Sequence, residues 1–197
     1  MSEPSPLESL ARAAAILSER GVRFALVGGL AVSVRGEVRF TRDVDLAIAV
    51  TGDREVERIV LAMSGSGYRT RTLVEQDAVG RIATVRLLGP DGVVVDLLAA
   101  SSGIEAEVVQ NARTVDLPPA GVIAVAQAEE LIALKTLSMT PRRAQDAIDI
   151  EGLLRTNPEV DLERVRSLLD LVTQRGFARG ESLREKLETF LQQLARS

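Results

Sequence analysis

The fold is decided by residues 28–46, which read GGLAVSVRGEVRFTRDVDL. A Gly-Gly pair closes one apolar strand at the start of this stretch, and an Asp-x-Asp pair opens the next strand near its end. Because side chains alternate along a strand, Asp43 and Asp45 project from the same face. Their like charges repel each other unless a positive charge lies between them. A divalent metal that binds phosphate is the usual partner of such a pair, so the stretch points to nucleotide chemistry.

Each half of this stretch also has an ordinary structural explanation. Gly28 and Gly29 fit any tight turn from a strand into a helix, although such a turn also lets backbone N–H groups approach a phosphate. Asp43 and Asp45 fit a polar strand entry, with Asp43 in a turn and Asp45 capping a local group. Neither signal alone separates a metal and phosphate site from local structure.

A third carboxylate stands alone in an apolar run. Asp96 lies within VVVDLL, residues 93–98. Burying a lone carboxylate is costly, so Asp96 needs a partner. One interpretation is a structural pair with an arginine. The other is a third metal ligand, which requires that this strand lie beside the strand of Asp43 and Asp45.

Composition excludes most other catalytic chemistry. The chain has 197 residues, of which 46% are hydrophobic and 26% charged, and it contains neither cysteine nor histidine. Disulfides, thiolate nucleophiles, cysteine-ligated zinc and histidine general bases are therefore all excluded. Carboxylates, lysine, arginine, hydroxyls and a hard metal ion remain. The net charge of -4 argues against a large non-specific nucleic-acid surface, which needs a basic excess.

The sequence also predicts where the protein works. The start of the chain, residues 1–6, lacks the charged and then apolar pattern of a secretion signal. No apolar run approaches the ~20 residues needed to cross a bilayer. We therefore expect a cytoplasmic protein without a membrane partner, and the bias toward Arg, Ala and Val indicates a bacterial genome.

By pattern, the chain divides into an α/β half, residues 1–125, and a helical half, residues 126–197, with no linker-like stretch between them. Two strands of the first half are expected to form a hairpin through Pro90-Asp91-Gly92, since Asp-Gly is a strong turn signal. The expected strands are 22–27, 44–50, 68–74, 81–88, 93–98 and 113–117, and the expected helices are 7–20, 28–35, 54–64, 104–111, 126–139, 141–155, 161–175 and 181–195.

Together, the Gly-Gly turn, the Asp-x-Asp strand and a third acidic residue on a later strand resemble the signature of the nucleotidyltransferase superfamily whose best-known member is DNA polymerase β. More narrowly, Gly28-Gly29 followed by Arg39-x-Thr41-x-Asp43-x-Asp45 resembles the AbiEii-type nucleotidyltransferases, which include toxins of toxin–antitoxin pairs. The resemblance extends over roughly residues 22–150. The helical half contributes to it a lysine with downstream basic and acidic residues: Lys135, Arg142, Arg143, Asp146 and Asp149.

The resemblance implies an α/β (α+β) fold, with a small mixed sheet, flanking helices and a C-terminal helical bundle. It also implies transfer of a nucleoside monophosphate from a nucleoside triphosphate (NTP) to an acceptor hydroxyl, with Mg²⁺ or Mn²⁺ as cofactor. Gly28 and Gly29 would then hold the triphosphate. The superfamily often has a serine at position 29, so this chain would contact phosphate there through its backbone alone.

The resemblance further implies a role for each charged residue. Asp43 and Asp45 would bind the metals, and Asp96 would complete the metal site and help to deprotonate the attacking hydroxyl. Lys135 would neutralise triphosphate charge, and Asp146 would orient Lys135 or meet the acceptor. Further candidate contacts to the nucleotide are Thr41 and Arg42.

Several of these residues also have structural interpretations. Lys135 fits a solvated helix lysine, although its neighbours are largely apolar. The charged residues after Lys135 fit helix-surface pairs at i,i+3 and i,i+4. Arg39 and Arg42 would either meet phosphate or compensate the acidic cluster.

The sequence leaves the acceptor open between the end of a tRNA or another RNA, a protein hydroxyl, and a small molecule such as an antibiotic. A toxin role would imply a cognate antitoxin as partner. One competing hypothesis is a catalytically silent protein that binds only a nucleotide or a partner. Another is a nucleic-acid-binding module, which would need a basic stripe formed by Arg69, Arg71, Arg81 and Arg86.

Overall fold

The computed structural model describes residues 5–76 and 79–196; the first four residues of the polar N-terminal segment considered above lie outside them. The described chain forms a mixed seven-stranded sheet with eight helices. The strands are β1 (Phe24–Val27), β2 (Asp43–Ile48), β3 (Arg69–Gln76), β4 (Arg81–Leu88), β5 (Val94–Leu98), β6 (Arg113–Asp116) and β7 (Val122–Val125). The helices are α1 (Pro6–Glu19), α2 (Gly28–Arg35), α3 (Asp53–Gly65), α4 (Glu105–Asn111), α5 (Ala128–Ser138), α6 (Ala144–Thr156), α7 (Leu162–Gln174) and α8 (Leu183–Leu194).

The sheet has the strand order β3-β4-β5-β2-β1-β7-β6. Strand β2 lies in its centre, antiparallel to β1 and parallel to β5. Strand β1 is also parallel to β7, whereas the pairs β3/β4, β4/β5 and β6/β7 are antiparallel. The predicted fold class, a mixed α/β fold with flanking helices and a helical C-terminal part, is confirmed.

The alternation of strand β2 separates its acids from the core. Val44, Leu46 and Ile48 are completely buried on one face, whereas Asp43 and Asp45 remain partly exposed on the other. This pattern follows from the two-residue period of a strand. It places both carboxylates at the start of a central strand, where the neighbouring strand β5 can bring a third one alongside.

One hydrophobic cluster joins the sheet to the helices of the C-terminal part. It contains Leu10 and Leu17 of α1, Leu46 of β2, Leu131 of α5 and Leu169 of α7, none of them more than 1% exposed. Helix α5 packs against α2 as well as against α6, α7 and α8. The first turns of α2 and the middle of α5 are therefore held close to each other, next to the acidic start of β2.

Three local predictions differ from the structure. Strand β7 was not predicted, because a four-residue apolar run has no distinctive period. Helix α6 begins at Ala144 and not at Pro141, since residues 140–143 form a turn in which the N–H of Arg143 donates to the carbonyl of Thr140 at 2.8 Å. Proline fits the second position of such a turn as well as it fits a first helical turn. The third difference is β3, which is an edge strand with seven of its eight residues exposed, where a half-exposed strand was expected.

Among the described helices, none combines the length and the apolarity needed to cross a bilayer.

Candidate active site

A cleft of about 440 Å³ opens at the acidic start of β2. This volume is within the range of sites for small ligands. Its walls come from β1, α2, β2, β4, β5 and α5, so residues far apart in the sequence meet there. The lining residues that carry polar chemistry are Gly28, Gly29, Arg39, Thr41, Asp43, Asp45, Thr84, Arg86, Asp96, Ser101, Ser102, Lys135, Ser138, Arg143 and Arg179.

Three carboxylates meet on one face of two parallel strands. In the pairing of β2 with β5, Asp45 stands opposite Asp96, and Asp43 stands opposite Val94. Burial, followed by the nearby negative charge of Asp96, raises the pKa of Asp45 to about 6. Lys135 acts in the opposite direction, by attraction. The shift thus comes first from burial of the carboxyl group and second from its acidic neighbours, which together outweigh the attraction of Lys135.

Asp96 is paired with an arginine. A structural pair of this kind was one of the two roles predicted for Asp96 from the sequence. Arg86 of β4 stands opposite Asp96 in the antiparallel pairing of β4 with β5. Its Nε donates to Oδ1 of Asp96 at 2.9 Å, and its Nη2 donates to Oδ2 at 2.6 Å. These hydrogen bonds raise the pKa of Arg86 above its ordinary value. Asp96 also lies beside Asp45, which is the arrangement that the predicted role as a third metal ligand requires. Both oxygens of Asp96 accept hydrogen bonds from the guanidinium of Arg86.

The Gly-Gly turn brings the N-terminus of α2 to the carboxylates. Gly28 has a φ of +63°, and a Cβ atom at this position would lie 1.9 Å from Oδ2 of Asp45. No side chain of the N-cap residue caps α2, and in its first turn the N–H of Gly29 donates to the carboxylate of Asp45 at the cleft. A Cβ at Gly29 would lie 2.6 Å from Nη2 of Arg39 and 2.9 Å from Oγ1 of Thr41. The missing side chains thus let Asp45, Arg39 and Thr41 approach the backbone of the turn closely. The guanidinium, the hydroxyl and the helix N-terminus are donors that suit an anion.

Gly28→Ala is expected to lower both stability and the nucleotidyl transfer that the resemblance implies. A left-handed backbone costs an L-residue about 1–2 kcal/mol, and the new methyl group would also displace the carboxylate of Asp45. Gly21→Ala is the matched control, because Gly21 has a φ of +66° and a Cβ atom added there would meet no other atom within 4 Å. Urea unfolding should show a larger loss for Gly28→Ala, and only this variant should lose transfer. Equal losses of stability with full activity in both variants would contradict the proposed contact.

Lys135 lies at the centre of a buried ion network. Its Nζ is 2.8 Å from Oδ1 of Asp146 and 2.7 Å from Oδ2 of Asp149. Both aspartates project from one face of α6, at i and i+3, and their side chains are only 2% and 1% exposed. Because a buried charge without a partner is strongly unfavourable, this arrangement fixes the position of the ammonium group at the wall of the cleft.

Two arginines extend the network to the cleft surface. Nε of Arg39 lies 2.9 Å from Oδ1 of Asp149, and Nε of Arg143 lies 3.0 Å from Oδ2 of Asp146. Each aspartate also accepts a neutral hydrogen bond, Asp146 from Ser138 at 3.0 Å and Asp149 from Gln145 at 2.9 Å. Arg39 therefore compensates an acidic group, one of the two roles expected for it, while its Nη2 stays beside Gly29.

The structure brings most of the residues predicted from the sequence into the one cleft. Asp146 is an exception, because it lies behind Lys135 and does not line the cleft. Arg42 is a second exception, since its guanidinium lies 5.3 Å from the ring centroid of the exposed Phe40 and outside the cleft wall. The predicted residues that do line the cleft are Gly28, Gly29, Thr41, Asp43, Asp45, Asp96 and Lys135.

Sequence reasoning did not assign Thr84, Arg86, Ser138 or Arg179 to the site. Arg86 was considered only as part of a basic stripe with Arg81, and the two point to opposite faces of the sheet. Arg81 contacts Asp53 of α3 at 3.4 Å, whereas Arg86 contacts Asp96 in the cleft. The register of the hairpin formed by β4 and β5 places Arg86 opposite Asp96, so knowledge of this register would have revealed the pair.

The three acids of the cleft offer only carboxylate oxygens as ligands. Oxygen ligands of this kind suit a hard divalent cation. Within the described part of the chain, the Asp43 side chain has no hydrogen-bond or ion-pair partner, so its oxygens are available. Across residues 5–76 and 79–196, however, no three acidic side chains are arranged to hold a metal as they stand. Both oxygens of Asp96 accept instead from the guanidinium of Arg86.

Solved structures with the same fold include an antigenic nucleotidyltransferase-like protein from Paracoccidioides brasiliensis. The two proteins are 19% identical with a TM-score of 0.52, and the match covers 98% of this chain and 94% of that one. A crystal structure of ANT(2'')-Ia in complex with adenylyl-2''-tobramycin is 18% identical, with a TM-score of 0.55 and coverage of 86% and 97%. The solution structure of the antibiotic-resistance factor ANT(2'')-Ia has the same identity and TM-score, with coverage of 88% and 94%. At these identities the likeness shows the fold.

The sequence itself identifies the family. No curated protein gives a significant match to the chain. The family model described as nucleotidyl transferase AbiEii toxin, Type IV TA system, matches residues 10–196, which is nearly the whole chain. This match confirms the resemblance expected from the Gly-Gly and Asp-x-Asp motifs. The chain belongs to the AbiEii nucleotidyltransferase family.

Proposed function

We propose that this nucleotidyltransferase is metal-dependent and transfers a nucleoside monophosphate from an NTP to an acceptor hydroxyl in the cleft described above. The observation that carries the proposal is the register that sets Asp45 beside Asp96 at the N-terminus of α2. Carboxylates for a cation and backbone donors for a phosphate therefore face one space. Both features are needed for triphosphate chemistry, and neither is needed for the stability of the sheet.

In this proposal, Asp43, Asp45 and Asp96 would hold Mg²⁺ or Mn²⁺, which when bound would supply Lewis-acid activation of the phosphates. The N–H groups at the start of α2 would receive the triphosphate, next to Arg39 and Thr41, whose side chains lie against Gly29. The hydroxyl oxygen of the acceptor bonds to the α-phosphorus as the bond to the bridging oxygen of the β-phosphate breaks. Pyrophosphate leaves, and Asp96 is the candidate acceptor of the hydroxyl proton.

Charge in the cleft favours an anionic substrate although the protein as a whole is acidic. Lys135, Arg39, Arg143, Arg86 and Arg179 all line the cleft, whereas the net charge of the chain is -4. Positive groups fixed along a cleft concentrate anions there and stabilise the charge that develops on the phosphates. The role proposed for Lys135 is to neutralise the triphosphate, and the role of Asp146 is to orient Lys135.

For the acceptor, we propose the end of a tRNA or another RNA, with the chain acting as the toxin of a toxin–antitoxin pair and a cognate antitoxin as partner. The family description, which names a toxin, supports this choice. Strand β3 continues the sheet beyond the cleft wall and is almost fully exposed, which leaves surface beside the cleft for a large acceptor.

A small-molecule acceptor is the second candidate. The observation in its favour is the structural likeness to ANT(2'')-Ia, whose structure contains adenylyl-2''-tobramycin. An aminoglycoside and an RNA end both present sugar hydroxyls, so the same cleft chemistry would serve either one.

The test is transfer of label from each of the four NTPs, labelled at the α-phosphate, to total tRNA, to cell protein or to tobramycin, in the presence of Mg²⁺. NTPs labelled at the γ-phosphate are the control, because nucleotidyl transfer releases that phosphate as pyrophosphate. We expect label in the tRNA from one or more α-labelled NTPs and none from γ-labelled NTPs. Label in tobramycin alone would support the second candidate. No label in any acceptor would favour a catalytically silent protein, which binds a nucleotide if Mg²⁺ and NTP raise its melting temperature and only a partner if they do not.

A further inference from the structure

Arg86 stands where a metal ion would be needed. Its guanidinium binds both oxygens of Asp96, while Asp96 is in register with Asp45 on the next strand. An arginine fork and a divalent cation both bind the oxygens of a carboxylate, so they compete for Asp96. Among the described residues no three acids are arranged to hold a metal, and the positive partner of Asp96 is this arginine.

The two partners differ in their freedom to move. The side chain of Asp96 is 8% exposed and is held on strand β5, between β4 and β2. The side chain of Arg86 is 50% exposed, and its only side-chain partner in the described part of the chain is Asp96. A long, half-exposed arginine can leave its partner and remain solvated, whereas the carboxylate cannot leave the cleft.

We propose that Arg86 is a positioning residue that serves as an exchangeable counter-ion of Asp96: it holds this carboxylate in place in the metal-free protein and gives it up when a divalent metal binds. The inference rests on the proposed function, because it takes Asp96 as a metal ligand. It goes further in assigning to Arg86 a role opposed to metal binding. A merely structural arginine would have the contrary effect, since its loss would leave Asp96 misplaced and would weaken metal binding.

The test is a calorimetric titration of Mn²⁺ into the full-length protein without nucleotide. Arg86→Gln removes the competing guanidinium and is expected to tighten Mn²⁺ binding about tenfold. This factor corresponds to the free energy of one charge-assisted pair of hydrogen bonds, reduced because Arg86 is half exposed to solvent. Arg86→Lys retains the charge but loses the two-point contact, so it should give an intermediate affinity. It also serves as the folded alternative if Arg86→Gln fails to fold, which urea unfolding will reveal.

Arg179→Gln is the matched control, because Arg179 is an exposed arginine that lines the same cleft and makes no contact with Asp96. It removes the same charge, so it measures the general electrostatic gain. Equal tightening in Arg179→Gln, or unchanged or weaker binding in both variants of Arg86, would overturn the inference. If the wild-type protein still labels an acceptor in Mg²⁺ under those outcomes, only the counter-ion role fails. If neither labelling nor Mn²⁺ binding occurs in any variant, the proposed metal site fails with it.

Discussion

Asp45→Asn is expected to abolish nucleotidyl transfer and, at the same time, to stabilise the metal-free protein at neutral pH. The transfer rate should fall roughly 10³-fold or more, because loss of a central metal ligand removes several kcal/mol of transition-state stabilisation. Stability should rise because burial and the negative charge of Asp96 both oppose ionisation of the wild-type carboxyl group, which is nevertheless ionised at neutral pH. An asparagine keeps the shape and an oxygen for the Gly29 N–H, but it carries no charge.

The gain in stability should depend on pH in a defined direction. The pKa of Asp45 is raised from 3.8 to about 6 in the folded protein, so between these values the folded state binds more protons than the unfolded state. The contribution of Asp45 to stability is therefore greatest below about pH 4 and is lost as the pH rises through 6. We expect Asp45→Asn and wild type to be nearly equal at pH 4, and the variant to be more stable by about 1–3 kcal/mol at pH 7.

Urea unfolding of both proteins without metal, from pH 4 to pH 7.5, measures this difference, and the labelling assay measures transfer. Asp116→Asn is the control for the change in net charge, because Asp116 is exposed on the edge strand β6. It should change neither stability nor transfer. A stability difference for Asp45→Asn that is flat across the pH range, or full retention of transfer, would contradict the role assigned to Asp45.

The sequence was sufficient for the part of the site that lies on one short stretch. The strand, turn, helix and strand from 24 to 48 are local, and the two-residue period alone places Asp43 and Asp45 on the same face. The AbiEii family and the fold class followed from these motifs together with Asp96. The placement of Asp43 and Asp45 needs only nearest-neighbour rules, whereas the family followed from a resemblance and the role of Asp96 required that β5 lie beside β2.

The pairing of Arg86 with Asp96 could not be read from the sequence, because it depends on the length of one turn. A two-residue turn at Asp91-Gly92 would set Arg86 opposite Leu97 and leave Asp96 on the other face. The structure has a longer connection, in which the N–H of Gly89 donates to the carbonyl of Val93 at 2.8 Å. Asp91 holds it by accepting from the N–H of Val93 at 3.1 Å. The shift of one residue brings Arg86 to Asp96.

For Lys135, the resemblance anticipated Asp146 as the residue that would orient it, but the burial of both Asp146 and Asp149 against its ammonium group was not predicted. The spacing of Asp146 and Asp149 predicted a shared helix face, but the same spacing is typical of exposed helix pairs. Whether that face meets α5 or solvent depends on the turn at residues 140–143, which folds α6 back against α5. Such tertiary contacts are not encoded in local periodicity.

Lys135→Met is expected to have the largest effect on stability of any single substitution at the site. The variant leaves Asp146 and Asp149 buried without their shared ammonium group. Breaking a buried ion pair costs about 3–5 kcal/mol, and we expect about 2–4 kcal/mol because each aspartate retains one arginine. Lys186→Met is the matched control, since it makes the same change at the ion pair with the exposed Glu181 and should cost less than about 1 kcal/mol.

A second substitution separates the structural role of Lys135 from its role toward the nucleotide. In the double variant with Asp146→Asn, one of the two uncompensated charges is removed, while the side-chain oxygen for Ser138 and Arg143 remains. Urea unfolding should show that most of the lost stability returns. Transfer of label should not return, because the ammonium group proposed to face the triphosphate is still absent. If transfer recovers together with stability, Lys135 acts only by holding α5 and α6 together, and the positive charge that meets the triphosphate must come from the arginines of the cleft.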